Sequence, residues 1–190
     1  MSSSLKSTAS EEEQYAESYD SSTLYCDPDA DIAFVSSDGV LFKLHSKFFE
    51  AVSAGFSIPN FTTAMSDDLV LLTEPAAVLE ILFQFVHPPF QCEHFHQPSA
   101  TDLEADLFFK LATAAEKYLV YSAMSICSVR MHYELYLTHP VQVLNHSENH
   151  GYSELSDRAA PITMSLPDPL QSSLKGLTNP TVAVKWVGIY

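Results

Sequence analysis

Two histidine-containing stretches hold the residue types and spacings that could do chemistry. In Cys92-x-His94-x-His96 three metal-binding side chains fall within five residues, and alternation along an extended segment would aim them to one side. A structural zinc site also needs a fourth ligand and normally paired spacings, so exposed loop polars are the expectation here. His146-Ser-Glu-Asn-His150 has the i, i+4 spacing of a helical zinc site. Its glutamate stands two places after the first histidine, where the metalloprotease order needs it one place after, and the expectation is a solvated helix end with His150 near the last carbonyls. Asp31, His45 and Ser53 have the types of a hydrolytic triad, but their predicted places make them supports: a carboxylate at a strand start, a histidine at a strand end and a small hydroxyl on the inner face of a helix. The five glycines, at 39, 55, 151, 176 and 188, make no Gly-rich turn after a strand, so no phosphate loop, dinucleotide fingerprint or nucleophile elbow is read. The sequence therefore assigns no catalytic residue, no cofactor and no metal ligand, and the expectation is a chain that is not an enzyme. A metal-dependent enzyme using the 92–96 and 146–150 histidines is the alternative of a different class, and metal analysis of purified protein separates the two.

The elements that would position these residues start with Ile32 and Phe34, then Ser36-Ser37-Asp38-Gly39, then Leu41, Phe42 and Leu44, which read as a β-hairpin with Asp-Gly in the turn. From Ser46 the period becomes helical through Phe48, Phe49, Val52 and Phe56, with Ser46 as N-cap and Gly55 as stop. Leu69–Leu72 reads as a short buried strand. Thr73-Glu74-Pro75 then opens a helix with Thr73 as N-cap, apolar almost all round and ended by Pro88-Pro89. After a loop over 90–100, a long helix is expected from Thr101 to Tyr118, capped by Thr101 or Asp102, and another from Val120 to about Leu137. Two short helices follow His139-Pro140, with Gly151 as C-cap between them, and 157–180 is proline-punctuated loop. Thr181–Tyr190 reads either way, a strand by its β-branched content or a helix by Val182-Trp186-Ile189. Met1–Asp29, Ser-rich and acidic, is expected to be mostly disordered; Ser10-Glu-Glu-Glu13 fits a capping box or an acidic-directed phosphorylation site.

These blocks carry a resemblance. Asp31-Ile32, Asp38-Gly39, Phe42-Lys43-Leu44-His45, Ser53 and Phe56, followed by Leu82–Pro88 and Leu111–Val120, resemble a BTB/POZ domain in the order that family shows, over about 30–137. The tail after His139 resembles short fungal proteins that carry a BTB domain and little else. The resemblance implies an α/β fold, a small mostly antiparallel sheet flanked by a helical cluster and followed by a short helical appendage. Its domains would be a disordered 1–29, the BTB/POZ domain at 30–137 and the appendage at 138–190. It also implies a homodimer that recruits other proteins, with a groove near the dimer axis at Asp31, His45 and Lys47, although Ser46 stands where the family has a basic residue. Leu107-Phe108-Phe109 takes the place where cullin adaptors show a hydrophobic residue, any residue and an acid, so the acid is missing. Phe108 and Phe109 are about 100° apart on a helix, so one is expected either to be exposed for a partner or to pack under the 90–95 loop.

The net charge of −15, with nine Lys and Arg, excludes the counterion-displacing contact that nucleic acid requires and disfavours anionic membranes. No apolar core follows Met1–Lys6, so a secretory signal is not expected, and no run reaches the length of a membrane span. Three cysteines at irregular spacing suit reduced thiols, hence an intracellular place, cytoplasmic or nuclear, with the sequons at Asn60 and Asn145 unmodified.

Overall fold

The computed structural model describes residues 19–56, 69–87, 98–169 and 175–189. Cys92, His94, His96, the 90–95 loop, Asn60 and the Ser10–Glu13 motif lie outside them. The chain is mixed α/β and divides into two compact units, one from Met1–Pro98 and Lys117–Ser122, the other from Ser99–Glu116 and Ala123–Tyr190. This boundary falls elsewhere than the 138 junction read from the sequence.

In the first unit β1 (Asp20–Cys26), β2 (Ile32–Val35), β3 (Val40–Leu44) and β4 (Val70–Leu71) form one sheet in the order β1-β3-β2-β4. The tight turn at Asp38-Gly39, where Gly39 has φ 83°, makes β2 and β3 antiparallel in the register Phe34↔Phe42. The other two pairings are parallel, β1 with β3 and β4 with β2, so the expected mostly antiparallel sheet is not formed. The reason is connectivity, since neither outer strand is joined to its neighbour by a hairpin and each adds after a longer excursion. β1 corrects a second expectation, because Asp20–Cys26 is ordered within the acidic N-terminus. Its anchor is Tyr25, 1% exposed, whose ring lies 6.4 Å from Phe42 and 6.0 Å from Phe83. One aromatic on a sheet edge outweighs a composition that elsewhere reads as disorder.

The core beneath the sheet is aromatic. Phe83, on α2 (Ala76–Gln84), lies 5.6 Å from Phe34, 5.3 Å from Phe42 and 5.9 Å from Phe49, which belongs to α1 (Ser46–Val52). Both helices start without a side-chain cap of their own, which corrects the assignment of Ser46 and Thr73 as N-caps. The caps come from the hairpin: Ser46 N–H donates to Asp31 Oδ1 at 2.7 Å and Ala76 N–H to Asp38 Oδ1 at 2.8 Å. A carboxylate at a helix's first N–H is favourable whichever part of the chain brings it. Gly55 is not the helix stop either. α1 ends at Val52, and Gly55 instead lies against the backbone of Tyr118, donating its N–H to Tyr118 O at 3.0 Å.

Leu119, between α3 (Ala105–Tyr118) and α4 (Tyr121–Arg130), has φ 52° and is 37% exposed. A left-handed non-glycine residue costs about 1–2 kcal/mol, and a glycine's extra unfolded-state entropy returns part of that. The side chain is nearly two-thirds buried and its loss costs about 1–2 kcal/mol, so Leu119→Gly is expected to destabilise the fold by about 0.5–1 kcal/mol, read as a lower denaturant midpoint at unchanged m-value.

In the second unit the helix starts later than expected, at Ala105, and Thr101 is bonded to Ser99 (Oγ to Oγ1, 2.7 Å). After α4 the chain makes a π turn (Met131–Leu135) and a single further turn, α5 (Tyr136–Thr138). The buried residues here are Ala123, Cys127, Met131 and Leu135, a repeat of four. In a straight α-helix each step of four drifts by about 40°, so three steps would carry Leu135 off the core face. The wider π turn absorbs that drift and keeps the line straight. α6 (Pro140–His150) ends at Gly151 with φ 78°, as expected, and pairs with α7 (Ser153–Thr163). α7 runs through Pro161, a correction to the loop read from Asp157. The carbonyl that this proline leaves unpaired, four residues back at Asp157, belongs to an exposed residue that water can serve. Pro180–Ile189 is helical, α8, and its Val182 and Trp186 are buried, with Trp186 Nε1–H donating to Thr163 Oγ1 at 2.7 Å.

Candidate functional site

Of the three groove residues read from the sequence, the structure brings Asp31 and His45 to the start of α1. Asp31 accepts from Ser46 twice, from N–H and from Oγ at 2.6 Å. Burial opposes its charge, but these bonds, with His45 nearby, outweigh it and hold the carboxyl below its ordinary range. His45 is placed between two partners: Nδ1 is 3.1 Å from His87 Nε2, and Nε2 is 3.8 Å from Asp27 Oδ2. The two imidazoles lie 5.4 Å apart at 18°, and one must donate where the other accepts. Phe48 meets the buried His87 edge-on at 4.4 Å, and Tyr25 OH donates to His87 O at 3.4 Å. Lys47 is exposed, with Nζ 5.0 Å from the Phe48 ring centre. Ser53 takes no part: its hydroxyl donates to Tyr118 O and accepts from Phe56 N–H at 3.2 Å. Asp31, His45 and Ser53 are thus bonded to three different sets of partners, not to one another.

Leu107, Phe108 and Phe109 lie on α3. Phe108 is fully buried, with the Arg130 guanidinium 4.9 Å from its ring centre and Phe109 edge-on at 5.4 Å. Leu107 and Phe109 are half-buried, so neither aromatic is an exposed platform. The reason is Arg130, which the sequence reading passed over. Its Nη1 donates to the carbonyls of Ala100 (2.6 Å) and Leu103 (2.8 Å), and this pins the guanidinium over the ring.

His150 ends the helix exposed, as expected, but His146 is not solvated. His146 is 6% exposed, its ring 4.6 Å from that of His150, and both face Glu116 of α3: His146 Nε2 lies 3.9 Å from Oε1 and His150 Nδ1 4.0 Å from Oε2. Tyr152 OH donates to Glu116 Oε1, and the Tyr152 ring stacks 6.1 Å from His146. Burial, then His150, pushes His146 down to about 4. Burial, then Glu116, pushes the Cys127 thiol up to about 12, and burial with the bond to Glu116 takes Tyr152 to about 12. The cluster sets one buried imidazole, His146, held neutral by its burial, beside the Glu116 side chain. Among the described residues no three His, Cys, Asp or Glu side chains are placed to hold a metal ion.

One surface feature went unread. On the outer side of the α4–α5 segment Val129 (55% exposed), Tyr133 (79%) and Leu137 (52%) repeat the inner spacing of four. The π turn that keeps the buried line straight aligns this outer line as well, making one apolar ridge of three side chains that would otherwise spiral apart. The sequence signal was available: a period of four, not 3.6, in both inner and outer positions.

Among the described residues no helix is long and apolar enough to cross a membrane. No protein-family model matches the chain, and no curated protein is significantly similar to it.

Proposed function

We propose that this chain is a non-enzymatic protein–protein interaction module of BTB/POZ type, which self-associates and recruits a partner protein inside the cell. The observation that carries the reading is the ridge Val129–Tyr133–Leu137: aligned, exposed apolar side chains are what a helix offers to another protein surface. Support comes from the resemblance of the sequence over about 30–137 and from the free thiols Cys26 and Cys127, which suit a reducing compartment. A narrower reading, a cullin-type ubiquitin-ligase substrate adaptor, draws on the paired helices α6 and α7, which follow the domain where such adaptors carry supporting helices.

The test is solution mass by light scattering over a concentration series, joined to titration with a cullin N-terminal domain. A dimer fraction that rises with concentration is expected. A monomer throughout that also fails to bind the cullin would remove both readings, while cullin binding by a monomer would select the adaptor.

A further inference from the structure

We propose that the paired helices α6 and α7 form a receptor for a basic amphipathic helix, and that α8 is this chain's own occupant of it, exchangeable for a segment of like chemistry from another protein. The surface uses none of the ridge residues, so it stands or falls apart from self-association.

A short set of contacts seats α8. Val182 and Trp186, four apart and so within about 40° of each other round the helix, are both buried, as is Leu177 just ahead of them. Trp186 Nε1–H finds its acceptor in Thr163 Oγ1 at the end of α7, on a residue that is itself fully buried and whose hydroxyl donates to Ala160 O. Before the helix begins, Thr178 donates from N–H and from Oγ1 to Asn145 Oδ1 of α6, each at 3.1 Å, and Asn179 Nδ2 donates to Asn149 Oδ1 at 2.9 Å. Gly176 lies against the Val141 side chain, where a Cβ would collide. Apolar anchors four apart, with polar groups fixing the register at the entry, are how a groove reads a helical peptide.

The seat is complete without its occupant. α6 and α7 pack on each other and on α5, Ser147 Oγ and Ser156 Oγ are bonded between them at 2.8 Å, and Val143, Leu155 and Ala159 are buried. α8, by contrast, has ten residues, too few to hold a helix alone in water, so it is helical only while seated.

Charge sets the class of occupant. Residues 175–190 hold two lysines, at 175 and 185, and no acidic side chain, in a chain of net −15. The sequence of α6 and α7 holds Glu148, Glu154 and Asp157 against Arg158, a net of −2 with histidine neutral. A basic helix with a β-branched residue four places before a tryptophan matches this seat, and an acidic one is repelled from it.

The test uses the full chain, in which Trp186 is the one tryptophan. Labelled with fluorotryptophan, the protein is expected to give one buried fluorine resonance. An unlabelled synthetic peptide of residues 175–190 is expected to bring up a second, solvent-exposed resonance as it displaces α8, reaching half displacement at roughly millimolar peptide, the effective concentration of a tethered segment. Thr178→Ala in the chain loosens its own α8 and leaves the seat whole, so half displacement is expected at about fivefold less peptide. Peptides carrying Trp186→Ala, or Lys175→Glu with Lys185→Glu, are expected to displace nothing. A single buried resonance at every concentration of the unaltered peptide, in both chains, overturns the proposal, and displacement by the glutamate peptide overturns the basic class.

Discussion

Gly55→Ala is expected to destabilise the protein by about 3 kcal/mol, the upper end of what overpacking a tight site costs. Glycine-to-alanine changes normally stabilise, because they restrict the unfolded chain. Here the sign reverses for a steric reason: a Cβ on Gly55 would fall on the backbone carbon, oxygen and Cα of Tyr118, none of which can swing aside as a side chain can. Three further contacts depend on that close approach. Ser53 OH donates to the same carbonyl, Ser53 bridges Val120, and the Phe56 ring stacks on Tyr118 at 4.4 Å and 9°. Tyr118 is itself fixed, its hydroxyl donating to Glu74 at 2.5 Å, so it has little room to retreat. Urea unfolding checks the magnitude, with the midpoint falling at constant m-value, and loss of near-ultraviolet ellipticity from the stacked pair locates the damage.

Between pH 6.5 and pH 4 the protein is expected to lose about 3 kcal/mol through His146 alone. Burial, then the neighbouring His150, puts its folded pKa at about 4, and Glu116, 3.9 Å away, does not restore it. In the unfolded chain an imidazole titrates near about 6.5. The folded state therefore binds fewer protons across this window, so the contribution is whole above pH 6.5 and is lost as the pH falls to about 4. Carboxylates held low in the fold, Asp31, Asp38 and Glu74, add acid sensitivity of the same sign at lower pH, so the measurement must be a difference. Urea titrations of wild type and His146→Gln from pH 7.5 to 4 supply it. The variant starts less stable at neutral pH and shows a slope flatter by about that amount. Equal slopes would mean that His146 is protonated in the folded protein, contrary to its burial.

What the sequence made legible was what depends on neighbours along the chain. The Asp38-Gly39 hairpin, the apolar run of α2, the helix ending at Tyr118 and the C-cap at Gly151 each rest on residues within one or two turns of one another, and each is present. The ambiguous 181–189 became a helix because Val182 and Trp186, four apart, found a buried face, which overrides β-branched propensity. The misreadings share a cause, dependence on a distant partner. Phe108 looked available until Arg130, 22 positions on, covered it. His146 looked solvated until Glu116 from another helix was set against it. Gly55 looked like a helix stop because nothing local shows that Tyr118 will arrive beside it. The ridge is hidden for another reason: its residues recur every four positions, not at the 3.6 of a regular helix.

The distant aspartate caps bear on the order of folding. Asp31 and Ser46 are separated by 15 positions and Asp38 and Ala76 by 38, and neither helix holds a substitute at its own first turn. Each helix nucleus is costly to form alone, and here the group that would offset part of that cost sits on the hairpin. Closing the Ser36–Val40 turn delivers Asp38, and the strand that enters that turn carries Asp31 at its foot. The hairpin and the two helices should therefore condense as one event, and substitutions at the turn should slow folding more than they hasten unfolding.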